Sequence, residues 1–436
     1  NSAKDTFAVS VPSGFNDQNF YDCVLTEFQT EYPDETVAST GLTDAQLAKI
    51  GQVVCDNENS AESAKISDTS GINKLTSVTY INLSNNDIDS IDVTNNTALK
   101  ALDLRNNKIT ALNLNNNTRL TYLNVRDNNL ASLDVSHNLQ IETLYAYNNH
   151  LSALDLSNHT GLTLVDVHNN NLTNIDVSKS TALASLSVGE NNISNLDVSR
   201  NVALTSLKLS KNNLASLDLS ANTALEELYA YTNQLTTLAL PNTNTLTQIS
   251  VGENNLTSID VSANTALEEL YVYKNNLSEL TLLNNTTLEV VSVYNNKLTS
   301  LDLANNTDLK SLFVYNNQFS SLDLSHNANL ETLNAQNNNL TELDVSNNPV
   351  LTTFYADKII ITAGIEDMNL SSGQAEFDLS GLKFISTDGN TTIPNTDNYT
   401  FDSANKILTV NDFAATKGYV LTAPIDASLY KSEYKN

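Results

Sequence analysis

The chain has 436 residues, 50 acidic against 22 basic, for a net charge of −28. That balance argues against nucleic acid and anionic membrane surfaces as partners, since both would repel it. No run of 18 or more apolar residues is present to span a bilayer. The chain opens at Asn1-Ser2 without an initiator Met, signal peptide or lipid-bearing Cys, which fits the mature form of a secreted protein or a trimmed piece of one.

Residues 1–74 read as a small helical cap. Phe20, Val24, Leu25 and Phe28 share one face at helical spacing, with Asn16 or Asp17 as a start signal and Pro33 as a stop. Thr43 and Gln46 form a capping box ahead of Leu47 and Ile50, the apolar face of a second short helix. Asp56 to Ser63 is polar enough to be a loop, and Ile66, Ile72 and Leu75 resemble an incomplete leading repeat. The two cysteines, Cys23 and Cys55, both lie in this segment. A disulfide between them would suit an oxidising compartment; two buried thiols are the alternative.

From Val78 to about Tyr355 a 21-residue unit recurs without insertion or deletion, starting at Val78, Leu99, Leu120 and so on to Leu330 and Leu351. Its template is L-x-x-L-x-L-x-x-N-x-L, then x-x-L-x-[VL] and a Ser/Asn/Thr-rich turn. This is the leucine-rich-repeat pattern, here in thirteen full units. Positions 1, 4, 6, 11, 14 and 16 are apolar; in the unit opening at Leu225 they are Leu225, Leu228, Ala230, Leu235, Leu238 and Leu240. Positions 3 to 7 alternate like a strand with one buried face. Stacked units predict a parallel sheet at about 4.8 Å per unit along the inner wall of an arc. A lone unit cannot bury its leucines, so stability is collective.

Position 9 is Asn in every full unit, from Asn86 through Asn212 to Asn338. After each strand the backbone turns inward and loses its strand partners, and a buried amide can donate and accept at once. Position 15 is Asp in ten of the thirteen units, among them Asp92, Asp155 and Asp260, usually with Ser two residues later. A row of carboxylates admits two readings: a calcium ladder, or local bonding of each Asp to the turn that follows.

Beyond Asp357 the period fails. Ile359 to Ile361, Phe377 to Leu379, Leu382 to Ile385, Tyr399 to Phe401, Ile407 to Val410 and Tyr419 to Leu421 are short apolar runs between turn residues. The expected architecture is therefore an α/β-type solenoid dominated by β: a helical cap over 1–74, the repeats over 75–356 and a small all-β module over 357–436.

The outward positions 3, 5 and 7 are where tyrosine concentrates. Position 5 carries Tyr145, Tyr229, Tyr271, Phe313 and Tyr355, and position 7 carries Tyr147, Tyr231, Tyr273, Tyr294 and Tyr315. Ser250 and Gly252 interrupt the denser group and predict a notch between Tyr pairs. Glu190, Glu227, Glu253 and Glu269 are acidic neighbours, and Arg105, Arg126, Lys208, Lys211 and Lys274 basic ones. An aromatic stripe of this kind suits recognition, because Tyr offers a rigid apolar body and a hydroxyl. Cross-strand pairing that merely strengthens the sheet is the structural alternative. The proposed contact set is Tyr145, Tyr147, Tyr229, Tyr231, Tyr271, Tyr273, Tyr294, Phe313, Tyr315, Glu190 and Glu253.

Chemistry is not signalled. Of the five histidines only His168 falls on the strand face, and no metal-ligand spacing, phosphate loop or nucleophile motif is present. A monomeric binding module with no cofactor and no catalytic role is the expectation.

The cap string LTDAQLAKI and the following ISDTSGINKLTSVTYINLSNNDI resemble the entrance to internalin-type bacterial surface proteins. The uniform 21-residue unit is most similar to the internalin J branch, and the resemblance covers roughly residues 16 to 356. It implies a secreted or cell-surface module that binds a host or environmental protein or glycoprotein, with a glycan or a purely spacing role as alternatives. That branch tends to carry a cysteine ladder along its repeats, which this sequence lacks.

Overall fold

The computed structural model describes residues 11–355 apart from 346, and beyond them strand segments at 359–362, 375–378, 399–402, 407–410 and 419–421. The chain falls into two compact units, residues 1–225 and 226–436.

In the first unit, helix α1 spans Gln18–Glu31. Asp17 caps it by accepting from the Phe20 amide at 3.1 Å, and its other carboxylate oxygen accepts from Ser67 N at 2.8 Å, tying the helix to the leading repeat. Phe20, Tyr21, Val24 and Phe28 are buried, whereas the expected Leu25 is only half-buried. Tyr21 takes its place because its hydroxyl has a partner inside, the Leu42 amide at 2.9 Å. Helix α2, Asp44–Leu47, carries the complete Thr43–Gln46 capping box. Cys23 and Cys55 are joined by a disulfide. The cap also contains a strand, Gln52–Val54, absent from the sequence reading. It pairs in parallel with Tyr80–Asn82 and so opens the sheet.

From there the strands follow the period. Tyr80–Asn82, Ala101–Asp103, Tyr122–Asn124, Thr143–Tyr145, Leu164–Asp166, Ser185–Ser187 and Ser206–Lys208 pair in parallel, each shifted from the last by one repeat. In the second unit Glu227–Tyr229, Gln248–Ser250, Glu269–Tyr271, Val290–Ser292, Ser311–Phe313, Thr332–Asn334 and Thr353–Tyr355 do the same. In this sheet the regular strand covers positions 3 to 5, but the ladder runs further: Val272 N bonds Ser292 O at 2.9 Å and Lys274 N bonds Tyr294 O at 2.8 Å. Ser216–Asp218, Thr237–Ala239 and Glu342–Asp344 add short strands at positions 13 to 15. Inside lie the six apolar positions, as at Leu267, Leu270, Val272, Leu277, Leu280 and Leu282, all buried.

Two rows of amides hold the inner turns. Asn149, at position 9, donates to Val125 O, Ala146 O and Tyr147 O at 3.0–3.2 Å, and its side-chain oxygen accepts from Leu130 N at 3.0 Å. The same pattern recurs from Asn107 to Asn317. A second row, not foreseen, sits at position 19: Asn96, Asn117, Asn138, Asn201, Asn222, Asn285, Asn306 and Asn327 are fully buried. Each donates to the carbonyls 24 and 21 residues earlier, as Asn222 does to Val198 O and Asn201 O at 3.0 and 2.9 Å. His159, Ser180 and Thr243 interrupt that row; burial pushes the His159 imidazole below its ordinary value, and Ser180 Oγ donates to His159 O at 2.6 Å.

Position 8 adopts the left-handed conformation in every full unit, with φ between 48° and 61° from Asn85 to Asn337. Asn fills most of these sites because it tolerates that region best after Gly. This bend is what turns position 9 inward.

The position-15 carboxylates make local turns. Asp155 Oδ1 accepts from Ser157 N at 2.9 Å and Ser157 Oγ at 2.6 Å, and the same amide bond recurs at Asp134, Asp176, Asp197, Asp218, Asp260 and Asp323. Beyond the repeats, Ile359–Thr362 pairs in parallel with Glu342–Asp344 and antiparallel with Tyr419–Leu421. Ala375–Asp378, Ile407–Val410 and Tyr399–Asp402 form an antiparallel sheet. The run Leu382 to Ile385 lies outside the described residues.

Asn212 is 6% exposed and donates to Val188 O and Leu209 O while accepting from Ile193 N. Asn212→Ala leaves those groups unpaired and should cost about 1–3 kcal/mol in a denaturant melt; no loss would show the row to be dispensable.

Hydroxyl and then amide donors hold Asp92, Asp134, Asp155, Asp176, Asp197, Asp218, Asp260 and Asp323 below the ordinary carboxylate value of 3.8. Depressed carboxylates contribute stability above their unfolded value and lose it as pH falls through the folded one. Melting temperature should therefore hold or rise from pH 7 towards about 4.5, as acidic self-repulsion fades, and fall below about 3.5. A maximum at pH 2 to 3 would contradict this sign.

Candidate binding face

The predicted aromatic residues occupy the outward positions 5 and 7 of their repeats. How they pack differs between the two units.

In the first unit the outward face is aromatic and charged together. Tyr147 stacks on His168 with ring centroids 4.4 Å apart and planes 17° from parallel. The Arg126 guanidinium lies over the other side of Tyr147 at 5.2 Å and donates to its hydroxyl at 2.5 Å. Asp166 holds His168 Nδ1 at 2.7 Å, and Asp127 pairs with Arg126 at 3.0 Å. Tyr145 meets Tyr122 and Tyr147 edge-on at 6.2 and 6.5 Å. Arg105 bridges Asp103 and Asp56 at 2.8 and 3.4 Å. Burial is the main cause of the raised values at Tyr147, Tyr122 and Asp103. Tyr145, Tyr147 and His168 nonetheless remain half-buried and within reach of a partner.

In the second unit the tyrosines cover one another. Tyr273, Tyr294 and Tyr315 stack face to face at 4.7 and 4.3 Å with planes within 9° of parallel. In-register parallel strands explain this: they repeat about every 4.8 Å, close to ring-stacking distance, so identical side chains fall in file. Tyr271, Tyr273, Tyr294 and Tyr315 are each no more than 8% exposed, with Val290 and Phe313 packed against them. The expectation of a free-standing stripe needs correcting here: these four rings form a small core of their own on the outer face. The expected notch is also closed, because a side chain at Gly252 would fall inside the Tyr273 ring. Position 5 alternates large and small, Tyr229, Ser250, Tyr271, Ser292, Phe313, Asn334 and Tyr355, and Ser250, Ser292 and Asn334 are buried between the larger side chains.

Tyr229, Tyr231 and Phe313 stay half-buried. The Tyr229 hydroxyl donates to Gln248 Oε1 at 2.7 Å; burial, then the charges of Glu227 and Glu269, push it up to about 12. Glu190 and Glu253 sit at the left-handed position 8 rather than free beside the rings. Glu190 pairs with Lys211 at 2.9 Å. Glu253 pairs with Lys274 and accepts from Thr232 at 2.8 Å, which holds it below its ordinary value. Among the described residues no group of three or more His, Cys, Asp or Glu side chains could hold a metal ion, and no helix is long and apolar enough to cross a membrane.

The functional domain of InlJ from Listeria monocytogenes superposes with a TM-score of 0.72 at 30% identity, over 93% of this chain and 95% of that one. The chain belongs to the internalin family. An internalin (inlF) from the same organism gives 0.57 at 24% identity, over 80% of this chain and 98% of that one. A leucine-rich-repeat protein of Leptospira interrogans gives 0.60 at 22%, over 74% and 86%. These last two show the fold alone. No family model and no curated protein matches the sequence. The InlJ domain is described as including a cysteine ladder; this internalin, with Cys23 and Cys55 bonded ahead of its repeats, has no cysteine to build one.

Burial, then the neighbouring phenols, raises the Tyr294 hydroxyl far above its ordinary value of 10.0. A raised value favours the fold below about 10 and disfavours it as pH climbs towards the folded value. Phenolate absorbance at about pH 11 should fall short of the seventeen tyrosines present and recover in denaturant. Full ionisation near pH 10 with the fold intact would contradict the stack.

Proposed function

We propose that this internalin-family chain is a non-enzymatic binding module, secreted or displayed at a bacterial surface, that holds a host or environmental protein or glycoprotein on its outward strand face. The observation that carries this is the set of half-buried rings at Tyr145, Tyr147, Tyr229 and Tyr231, with Arg126 beside Tyr147 and Glu227 and Glu269 beside Tyr229. Repeat stacking needs only small residues there. Rings at such positions are the usual anchors of protein recognition. In the second unit the stacked set Tyr273, Tyr294 and Tyr315 acts as a rigid support for the face that carries Tyr229 and Tyr231. A glycan ligand is the second reading, favoured by the His168 ring, which stacks on Tyr147 and is flanked by Asp166, a pairing that suits the face and hydroxyls of a sugar ring. The domain division at 74 and 356 belongs to the same proposal, with 357–436 as a small β module that caps the C-terminal end of the repeats.

Three sets of variants test it on host cells and on a purified mucin-type glycoprotein. Tyr145→Ser with Tyr147→Ser, or Tyr229→Ser with Tyr231→Ser, should weaken binding at least about tenfold while shifting the melt by less than about 1 kcal/mol. Tyr294→Ser should instead lower stability by about 2–4 kcal/mol. Unchanged binding in both pairs would leave a spacer, not a receptor-binding module.

A further inference from the structure

The second unit holds an acidic–aromatic patch centred on one strand, Gln248–Ser250. Its neighbours place Glu227 and Glu269 in register on either side of Gln248, and Tyr229 and Tyr271 on either side of Ser250. Glu226 and Glu268, both exposed, extend the acidic side. The backbones of the two acidic residues thus stand about two strand spacings apart, roughly 9.6 Å, with the neutral Gln248 between them. None of the four is in an ion pair among the described residues, whereas Glu253 and Glu289 nearby have Lys274 and Lys310. Their near contacts are phenols: Tyr271 donates to Glu269 at 3.0 Å, and both Glu227 and Glu269 act on the Tyr229 hydroxyl.

A second feature points the same way. Ser250 Oγ is 1% exposed and has no hydrogen-bond partner, and it lies on the outward face between Tyr229 and Tyr271. A hydroxyl buried without a partner costs free energy that a donor entering between the rings would recover. An ammonium group fits both features: it donates to a hydroxyl, and it is attracted by ring faces and by nearby carboxylates.

Resting on the reading of the strand face as a binding surface, we propose that this patch takes a lysine side chain from a basic segment of the partner protein. Glu227 and Glu269 supply the charge, Tyr229 and Tyr271 the walls, and Ser250 the acceptor at the base.

The test is isothermal titration of the full chain with tetralysine, and with tetraglutamine as the neutral comparison. One saturable site for tetralysine is expected, weakened about tenfold by Glu227→Gln with Glu269→Gln and about threefold by Ser250→Ala. Glu58→Gln with Glu279→Gln removes the same charge from exposed sites elsewhere and should change affinity less than twofold. Equal weakening by that control, or no saturable site, overturns the proposal. Should tetralysine fail while the tyrosine variants still abolish binding to cells, only the lysine assignment falls. Should tetralysine bind while those variants leave cell binding intact, the broader reading falls instead.

Discussion

The interaction on which the structure depends is the buried asparagine amide at position 9. One side chain ties its own turn to the carbonyl 24 residues earlier and accepts from the amide 19 residues earlier, as Asn212 does with Val188 and Ile193. Each bond therefore joins successive repeats, and it can form only if they stack without slip. A leucine core alone would tolerate small shifts, since apolar contact is not directional. Directional bonds at one buried point per repeat remove that freedom, and the second row at position 19 does so on the opposite side of the core.

Fixed register has a consequence on the outer face. Whatever a repeat carries at position 7 must stand beside its counterpart in the next repeat, at a distance set by the strands. Tyr273, Tyr294 and Tyr315 accordingly stack, and where the file reaches Gly252 the Tyr273 ring closes over the gap. Neighbours of other size or charge produce other outcomes: Arg126 and His168 sandwich Tyr147, and Ser250 is buried between the strands that carry Tyr229 and Tyr271. The same backbone rule thus yields a closed aromatic support in one place and accessible rings in another.

Much of this was legible in the residues because a strict period converts sequence position into spatial position. The strands, the six apolar positions, the Asn86 to Asn338 row and the outward placement of the tyrosines follow from counting. The position-19 row was equally periodic, but its residues sit in a Ser/Asn/Thr-rich turn, where Asn is common for other reasons, and so it passed as turn composition. The strand at Gln52–Val54 has only two valines to signal it and no repeat before it. Which rings bury each other depends on side-chain rotamers and neighbour size, a tertiary matter that alternation of faces does not encode. Glu190 and Glu253 show the same limit: the count placed them beside the rings, while the left-handed backbone at position 8 aims them at Lys211 and Lys274.

The central claim is that register sorts one tyrosine set into a covered stack and leaves another open on the same face. Hydroxyl-radical footprinting of the native chain, resolved residue by residue by mass spectrometry, measures that sorting directly. Tyr145, Tyr147, Tyr229 and Tyr231 should be modified readily, with Tyr273, Tyr294 and Tyr315 protected until the chain is unfolded. Modification of Tyr294 as fast as Tyr231, or protection of all seven alike, would contradict the account.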